Sequence, residues 1–165
     1  MLQMMKAFIL TISDTRTMET DVSGDRLAEL LLNAGAEIIG KLIVSDDLDD
    51  LRNTLYVLTE RDDVDIILTT GGTGLAPRDN TPEATRSVID REVPGLAEAM
   101  RAETLKFTKM AMLSRAVCGV RNGTLIINLP GSPKGVEECF EVIQPVLRHA
   151  VNLLASRTAH ESDHS

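Results

Sequence analysis

The stretch Thr69–Thr85, TTGGTGLAPRDNTPEAT, puts three glycines, an Arg-Asp pair and a helix start side by side. Glycine tolerates positive φ and close backbone approach, so the N–H groups around Thr70, Gly71, Gly72, Thr73 and Gly74 can be aimed at an anion. No Gly-Lys-Ser/Thr follows, so this is not a Walker loop, and the spacing is not the dinucleotide fingerprint. A tight strand-to-helix connection would also account for the turn by itself. Pro130-Gly131-Ser132-Pro133-Lys134 is a second candidate: free helix N–H groups, a hydroxyl and a lysine suit a phosphate, while ordinary capping explains the same residues. Two such turns together point to one ligand, or a pair, with more than one anionic group. Asp14, Asp46, Asp47 and Asp79 complete the set. A carboxylate beside a phosphate is unfavourable unless a cation mediates, and Mg²⁺ does so with one or two carboxylates plus phosphate oxygens. Asp46 and Asp47 also suit the first turn of a helix. Arg78 and Asp79 lie in a loop where neither is needed for capping.

Other chemistries lack their residues. His149, His160 and His164 are late and widely spaced, which does not make a zinc site. There is no Gly-x-Ser-x-Gly elbow and no nucleophilic cysteine motif; Cys118 and Cys139 read as buried thiols. What remains is phosphoryl or nucleotidyl transfer by positioning and charge neutralisation.

The elements that must carry these groups alternate. Ala7–Ile12 is an apolar run ending in Ser13-Asp14, as a buried parallel strand would. A helix starting at Ser23 or Asp25 carries Leu27, Leu30 and Leu31 to a stop at Gly35, Ile38–Val44 is a second strand, and Leu48, Leu51, Leu55 and Leu58 form the next helical stripe, with Ser45 or Asp46 near its start. Val64–Leu68 feeds the glycine turn. Thr81-Pro82-Glu83 reads as an N-cap, a first-turn proline and a dipole-matched acid. A short helix ends near Asp90 and another spans Leu96–Phe107. Met110–Ser114 has no clear pattern, Ala116–Val120 and Thr124–Leu129 read as strands, and Ser132 caps a final helix containing Pro145. The predicted fold is α/β: three layers, with a mainly parallel, doubly wound sheet and helices on both faces. One domain, 1–155, precedes a polar, frayed tail, 156–165. Ligands of such sheets bind beyond the carboxyl ends of the strands, where Ser13-Asp14, Asp46-Asp47, the Gly71–Asp79 loop and the Pro130–Lys134 turn all arrive.

Composition narrows the partners. The chain has 165 residues, 43% hydrophobic, which suits a single core. Aromatics make up 2% and the net charge is −8, which argues against both stacking on single strands and non-specific nucleic-acid binding. Apolar runs are only strand-length, and Met1–Lys6 lacks the core of a signal peptide, so a cytoplasmic protein without membrane contact is expected.

TTGGTGLAPRDNTPEAT, REVPGLAEAMR, SRAVCGV and TLIINLPGSPKGVEECF, in that order, resemble the molybdenum cofactor biosynthesis proteins of the MogA/MoaB type, and more closely the MoaB branch. The module also resembles the adenylyltransferase domain of gephyrin. The likeness covers nearly the whole chain. It implies the molybdopterin-binding fold and Mg²⁺-dependent adenylylation of molybdopterin by ATP, with pyrophosphate released. It carries the catalytic, metal-holding role to Asp46 and Asp79. Substrate or nucleotide binding falls to Ser13, Asp14, Thr70, Gly71, Gly72, Thr73, Gly74, Arg78, Ser114, Arg115, Pro130, Gly131, Ser132 and Lys134. It further implies a homotrimer or homohexamer, and a molybdate-inserting protein of the MoeA type as partner. Two readings compete with it: a non-catalytic molybdopterin-binding protein of the MoaB type, and a nucleotide pyrophosphatase on the related fold of competence-damage proteins.

Overall fold

The apolar runs pair into one six-stranded sheet in the computed structural model, which describes residues 3–162. The strands are β1 (Lys6–Ile12), β2 (Glu37–Val44), β3 (Ile66–Thr70), β4 (Arg91–Glu92), β5 (Cys118–Arg121) and β6 (Thr124–Leu129). Their order is β2-β1-β3-β6-β5-β4. β2, β1, β3 and β6 are mutually parallel. β5 runs antiparallel to β6, and β4 antiparallel to β5. The β5–β6 turn is Asn122-Gly123, both at positive φ (49° and 77°), the backbone that a two-residue hairpin requires.

Among the described residues, five helices and a short 3-10 turn cover the sheet: α1 (Val22–Asn33), α2 (Leu48–Thr59), α3 (Thr81–Val88), α4 (Pro94–Thr104), the 3-10 turn Lys109–Leu113, and α5 (Pro133–Ser162). Strand side chains alternate between the faces. Ala7 and Ile9 of β1 join Leu27 and Leu31 of α1, Ala97 and Met100 of α4, and Val136, Phe140 and Ile143 of α5. Phe8, Leu10 and Ile12 point the other way, to Leu51, Leu55 and Leu58 of α2 and Ala84 and Val88 of α3. These are the three expected layers. Apolar alternation on two covered faces is why the parallel strands read as continuous hydrophobic runs.

Several boundaries differ from expectation. α1 is capped by Asp21, whose carboxylate accepts from Gly24 N–H at 3.0 Å, and α2 by Asp47, which accepts from Asp50 N–H at 3.0 Å. Thr81 is not the cap of α3; Asn80 holds that place, and the Thr81 hydroxyl donates instead to Gly71 O at 2.9 Å. The Met110–Ser114 stretch falls on the 3-10 turn Lys109–Leu113 with Ser114 just beyond it, and α4 starts at its own Pro94. α5 runs on to Ser162, into the stretch expected to fray; the readings of His160 and His164 fall on side chains outside those described. Among the described residues, no helix is long and apolar enough to cross a membrane.

β1 is the point where strand order reverses: β2 lies on one side, β3 and β6 on the other. The carboxyl ends of β1, β2, β3 and β6 therefore open onto one crevice.

Candidate active site

The crevice is built from four strand ends. After β1 and β2, Asp14 and Asp46 hold each other. Asp14 N–H donates to the Asp46 carboxylate at 3.0 Å, and Asp46 N–H donates to the Asp14 carboxylate at 3.0 Å. Each carboxylate is thereby stationed by the other's backbone. The Asp46 carboxyl lies above its ordinary range, first through burial and then through the adjacent Asp14 charge. Asp14 lies below its range, because Arg78 hydrogen-bonds to it. Arg78 reaches across from the glycine loop and donates through Nε (2.6 Å) and Nη2 (3.0 Å). Asn80, which nothing in its spacing singled out, donates from Nδ2 to Asp46 O at 2.9 Å. It ties the loop to the end of β2.

After β3 the backbone turns at Gly71 and Gly72, with φ of 103° and 70°. Both positions require glycine sterically as well. A Cβ on Gly71 would lie 2.6 Å from Ile12 O, and one on Gly72 would lie 2.3 Å from the Thr81 hydroxyl. The loop then folds on itself. Asp79 N–H donates to Ala76 O at 2.9 Å, and the Asp79 carboxylate accepts from Ala76 N–H at 2.9 Å.

The second turn packs directly against the first. Gly71 N–H donates to Leu129 O (3.2 Å), and the Thr70 hydroxyl donates to Pro130 O (2.7 Å). A Cβ on Gly131 would sit 3.4 Å from Gly71 Cα. The Ser23 hydroxyl, from the start of α1, donates to Gly131 O at 2.6 Å. This contact spans so much sequence that no local signal announces it. Ser132 caps α5, its hydroxyl accepting from Gly135 N–H at 3.0 Å. The Lys134 side chain is 86% exposed and, among the described residues, its ion pair is with Glu138, at 3.9 Å. It is free to meet an anion.

Ser114 and Arg115 approach from the far side. Ser114 lines a cavity of about 360 Å³ together with Thr73, Leu75, Met100, Met110 and Asn128. Neither the cavity nor its apolar lining was foreseen, since it forms between α4, the 3-10 turn and the two anion turns. Arg115 lies alongside the glycine loop: Nε donates to Gly74 O (2.8 Å), Nη2 to Asp79 O (2.7 Å) and Nη1 to the Glu83 carboxylate. Burial pushes the Glu83 carboxyl up, but its hydrogen bonds, that from Arg115 foremost, bring the net shift down.

The expected site residues thus gather at one edge, as the topology demands. Asp46 and Asp79 remain candidates for a divalent cation. Their oxygen donors suit Mg²⁺, which needs few protein ligands when phosphates supply the rest. Among the described residues, no three His, Cys, Asp or Glu side chains converge as a metal cluster. Cys118 and Cys139 are buried, with thiols pushed up to about 12 and about 11 by desolvation, so neither is a thiolate at neutral pH.

Residues 8–149 match the family model described as "Probable molybdopterin binding domain". The chain is 47% identical over 150 residues to the molybdenum cofactor synthesis protein cinnamon of Drosophila melanogaster, covering 88% of this chain but 25% of that protein. It is 39% identical to a molybdopterin adenylyltransferase of Helicobacter pylori, covering 88% of this chain and 85% of the other. Among solved structures, the molybdopterin biosynthesis enzyme MoaB of Thermus thermophilus superposes with a TM-score of 0.85 at 47% identity, covering 93% and 98% of the two chains.

Proposed function

We infer the function from one premise: this chain belongs to the molybdopterin-binding domain family of molybdenum cofactor biosynthesis. We propose that it is a molybdopterin adenylyltransferase, joining the adenylyl group of ATP to the terminal phosphate of molybdopterin. The observation that carries this reading is the contact of the two anion turns at the switch point. Gly71 and Gly131 meet back to back, with Asp14, Asp46 and Asp79 at the same edge and a largely apolar cavity beside them. Two phosphorylated substrates need two such cradles, and a flat ring system needs the cavity.

In the reaction, an oxygen of the pterin phosphate attacks the α-phosphorus of ATP, and the bond from that phosphorus to the bridging oxygen of the β-phosphate breaks. Pyrophosphate leaves with that electron pair. The attacking phosphate is already anionic, so no strong general base is required. The chain's part is to hold the two reacting groups in line. Backbone N–H groups of Gly72, Thr73 and Gly74 suit phosphate oxygens, that of Gly71 being held by Leu129 O; at the start of α5, where Pro133 has none and Ser132 holds that of Gly135, Ser132 and Lys134 lie at the second cradle. Ser13 and Ser114 supply hydroxyls at the crevice and the cavity. A divalent cation held by Asp46 and Asp79 would neutralise charge on the transferring phosphate. Assembly as a homotrimer or homohexamer, and hand-over to a molybdate-inserting partner of the MoeA type, belong to the same proposal.

The test is direct. Purified protein is mixed with molybdopterin, Mg²⁺ and α-labelled ATP, and label on the pterin is followed with pyrophosphate. Transfer is expected to need Mg²⁺. Asp79→Asn should bind molybdopterin within about threefold of the parent and lose about a hundredfold or more in turnover. Absence of transfer with molybdopterin still bound at micromolar levels would overturn the enzyme reading in favour of a binding protein.

A further inference from the structure

We propose that Arg115 is a positioning residue that sets the Asp79 carboxylate in place, an inference that rests on the role given above to Asp79. The glycine loop has few other restraints on its interior. Leu75, Ala76, Pro77 and Arg78 are exposed. Among the described residues, the Asp79 carboxylate is held from within the loop itself, by Ala76 N–H. The Arg78–Asp14 pair that reaches back to β1 is open to solvent, where such pairs hold weakly. Asn80 fixes the exit of the loop, one residue too late to fix its interior.

Arg115 supplies the missing restraint. Its backbone N–H donates to Thr73 O at 2.9 Å, which brings the residue alongside the loop. Its guanidinium then spans the loop from Gly74 O (2.8 Å) to Asp79 O (2.7 Å) and ends on Glu83 in the first turn of α3. Three acceptors in three directions are met by one rigid planar fork. A lysine ammonium, a point charge on a flexible stem, cannot reproduce that geometry. The strut is anchored at its other end too. Arg101 of α4 donates from Nη1 to Ala116 O at 3.1 Å and, more loosely, to Ser114 O at 3.4 Å. Arg115 therefore joins the Ser114 wall of the cavity to the Asp79 loop, so that the two sides of the reaction keep one spacing. Three of its donors are engaged by the loop carbonyls and the Glu83 carboxylate, which suits the side chain to holding the loop.

Arg115→Lys and Arg115→Gln separate the possibilities. Amide hydrogen exchange is measured on the ligand-free protein, and transfer kinetics alongside. In both variants exchange at Ala76 and Asp79 should rise about tenfold or more, while β6 amides stay unchanged. Turnover should fall about a hundredfold with KM for ATP changed less than about threefold, because a displaced carboxylate costs rate rather than affinity. Parental exchange in the loop of either variant would overturn the proposal. So would faster exchange throughout the sheet, which would make Arg115 a general support, or a raised KM at unchanged turnover, which would make it a substrate contact. If the parent protein transfers nothing, the adenylyltransferase reading fails by that result alone, and the exchange data still decide whether Arg115 orders the loop.

Discussion

Asp14 and Asp46 show how much a single carboxylate depends on its neighbour. Each donates its backbone N–H to the other's side chain, yet their acidities are moved in opposite directions. Arg78 satisfies Asp14 and leaves Asp46 with burial and a like charge. Both causes disfavour the anion, so Asp46 takes up a proton at higher pH than an isolated aspartate. Removing the Asp14 charge must move Asp46 back down, but only part of the way, because burial is the larger cause and persists. Asp14→Asn should therefore lower the Asp46 midpoint in a carboxyl-carbon NMR titration. It should also shift the acid limb of any Asp46-dependent rate toward lower pH. A midpoint that stays put or rises would show that the Asp14 charge is not felt at Asp46. The pairing itself was not legible beforehand. Both residues stood at strand ends facing one edge, but their reciprocal hydrogen bonds depend on the register of β1 with β2, which no local pattern encodes.

The glycine turn is the element on which the site depends, and its chemistry is conformational before it is electrostatic. Gly71 combines positive φ with backbone close behind it, so Gly71→Ala incurs both strain and a clash with Ile12 O. The expected loss is about 1–3 kcal/mol or more, read from the urea midpoint. Gly95, in the first turn of α4, has nothing within 4 Å of a built Cβ. Gly95→Ala should stabilise by about 0.4–1 kcal/mol by restricting the unfolded chain. Equal effects of the two substitutions would mean that the turn is not strained as described. Elements of this kind were legible where one signal dominated: β1 as an apolar run, β2 and β6 as mainly apolar runs each interrupted by a polar residue, Lys41 and Asn128, α5 from Ser132-Pro133, and the glycine turn from its own composition. Those with weak or divided signals were not. β4 is two exposed residues, Arg91 and Glu92, that pair only because β5 lies beside them. The Lys109–Leu113 turn is too short for a period to show. Helix starts were missed by one or a few positions because Asp21, Asp47 and Asn80 compete with neighbouring polar residues, and tertiary contacts decide among them. Thr81, a plausible cap, is drawn away to Gly71 O. The candidate site was legible as a set of strand ends and turns. Arg115 was legible as a motif residue, but its donors are committed to carbonyls and a carboxylate that only the folded loop brings near.

At the scale of the whole molecule, the exposed apolar side chains are not scattered evenly. Leu105, Phe107, Met110, Met112 and Leu113 follow one another between the end of α4 and the start of the Ser114 segment, and Leu75 of the glycine loop is exposed as well. Met110, Leu113 and Leu75 also line the cavity, so the patch is continuous with its mouth. Phe107 and Met110 are 68% and 67% exposed in the single chain, in a protein with only three phenylalanines to spend. Large apolar groups in such a cluster are an unfavourable surface for a free monomer and a suitable one for association. In the proposed homo-oligomer this region would be covered, which would also restrict solvent access to the cavity. Light scattering on the parent protein should then give a mass near three or six times 18.0 kDa. Phe107→Glu with Met110→Glu should bring it down toward 18.0 kDa, since burying two new carboxylates against an apolar face is costly, with the fold retained by circular dichroism. An unchanged oligomer in the double variant would move the interface to another face, and a monomeric parent would remove assembly from the proposal altogether.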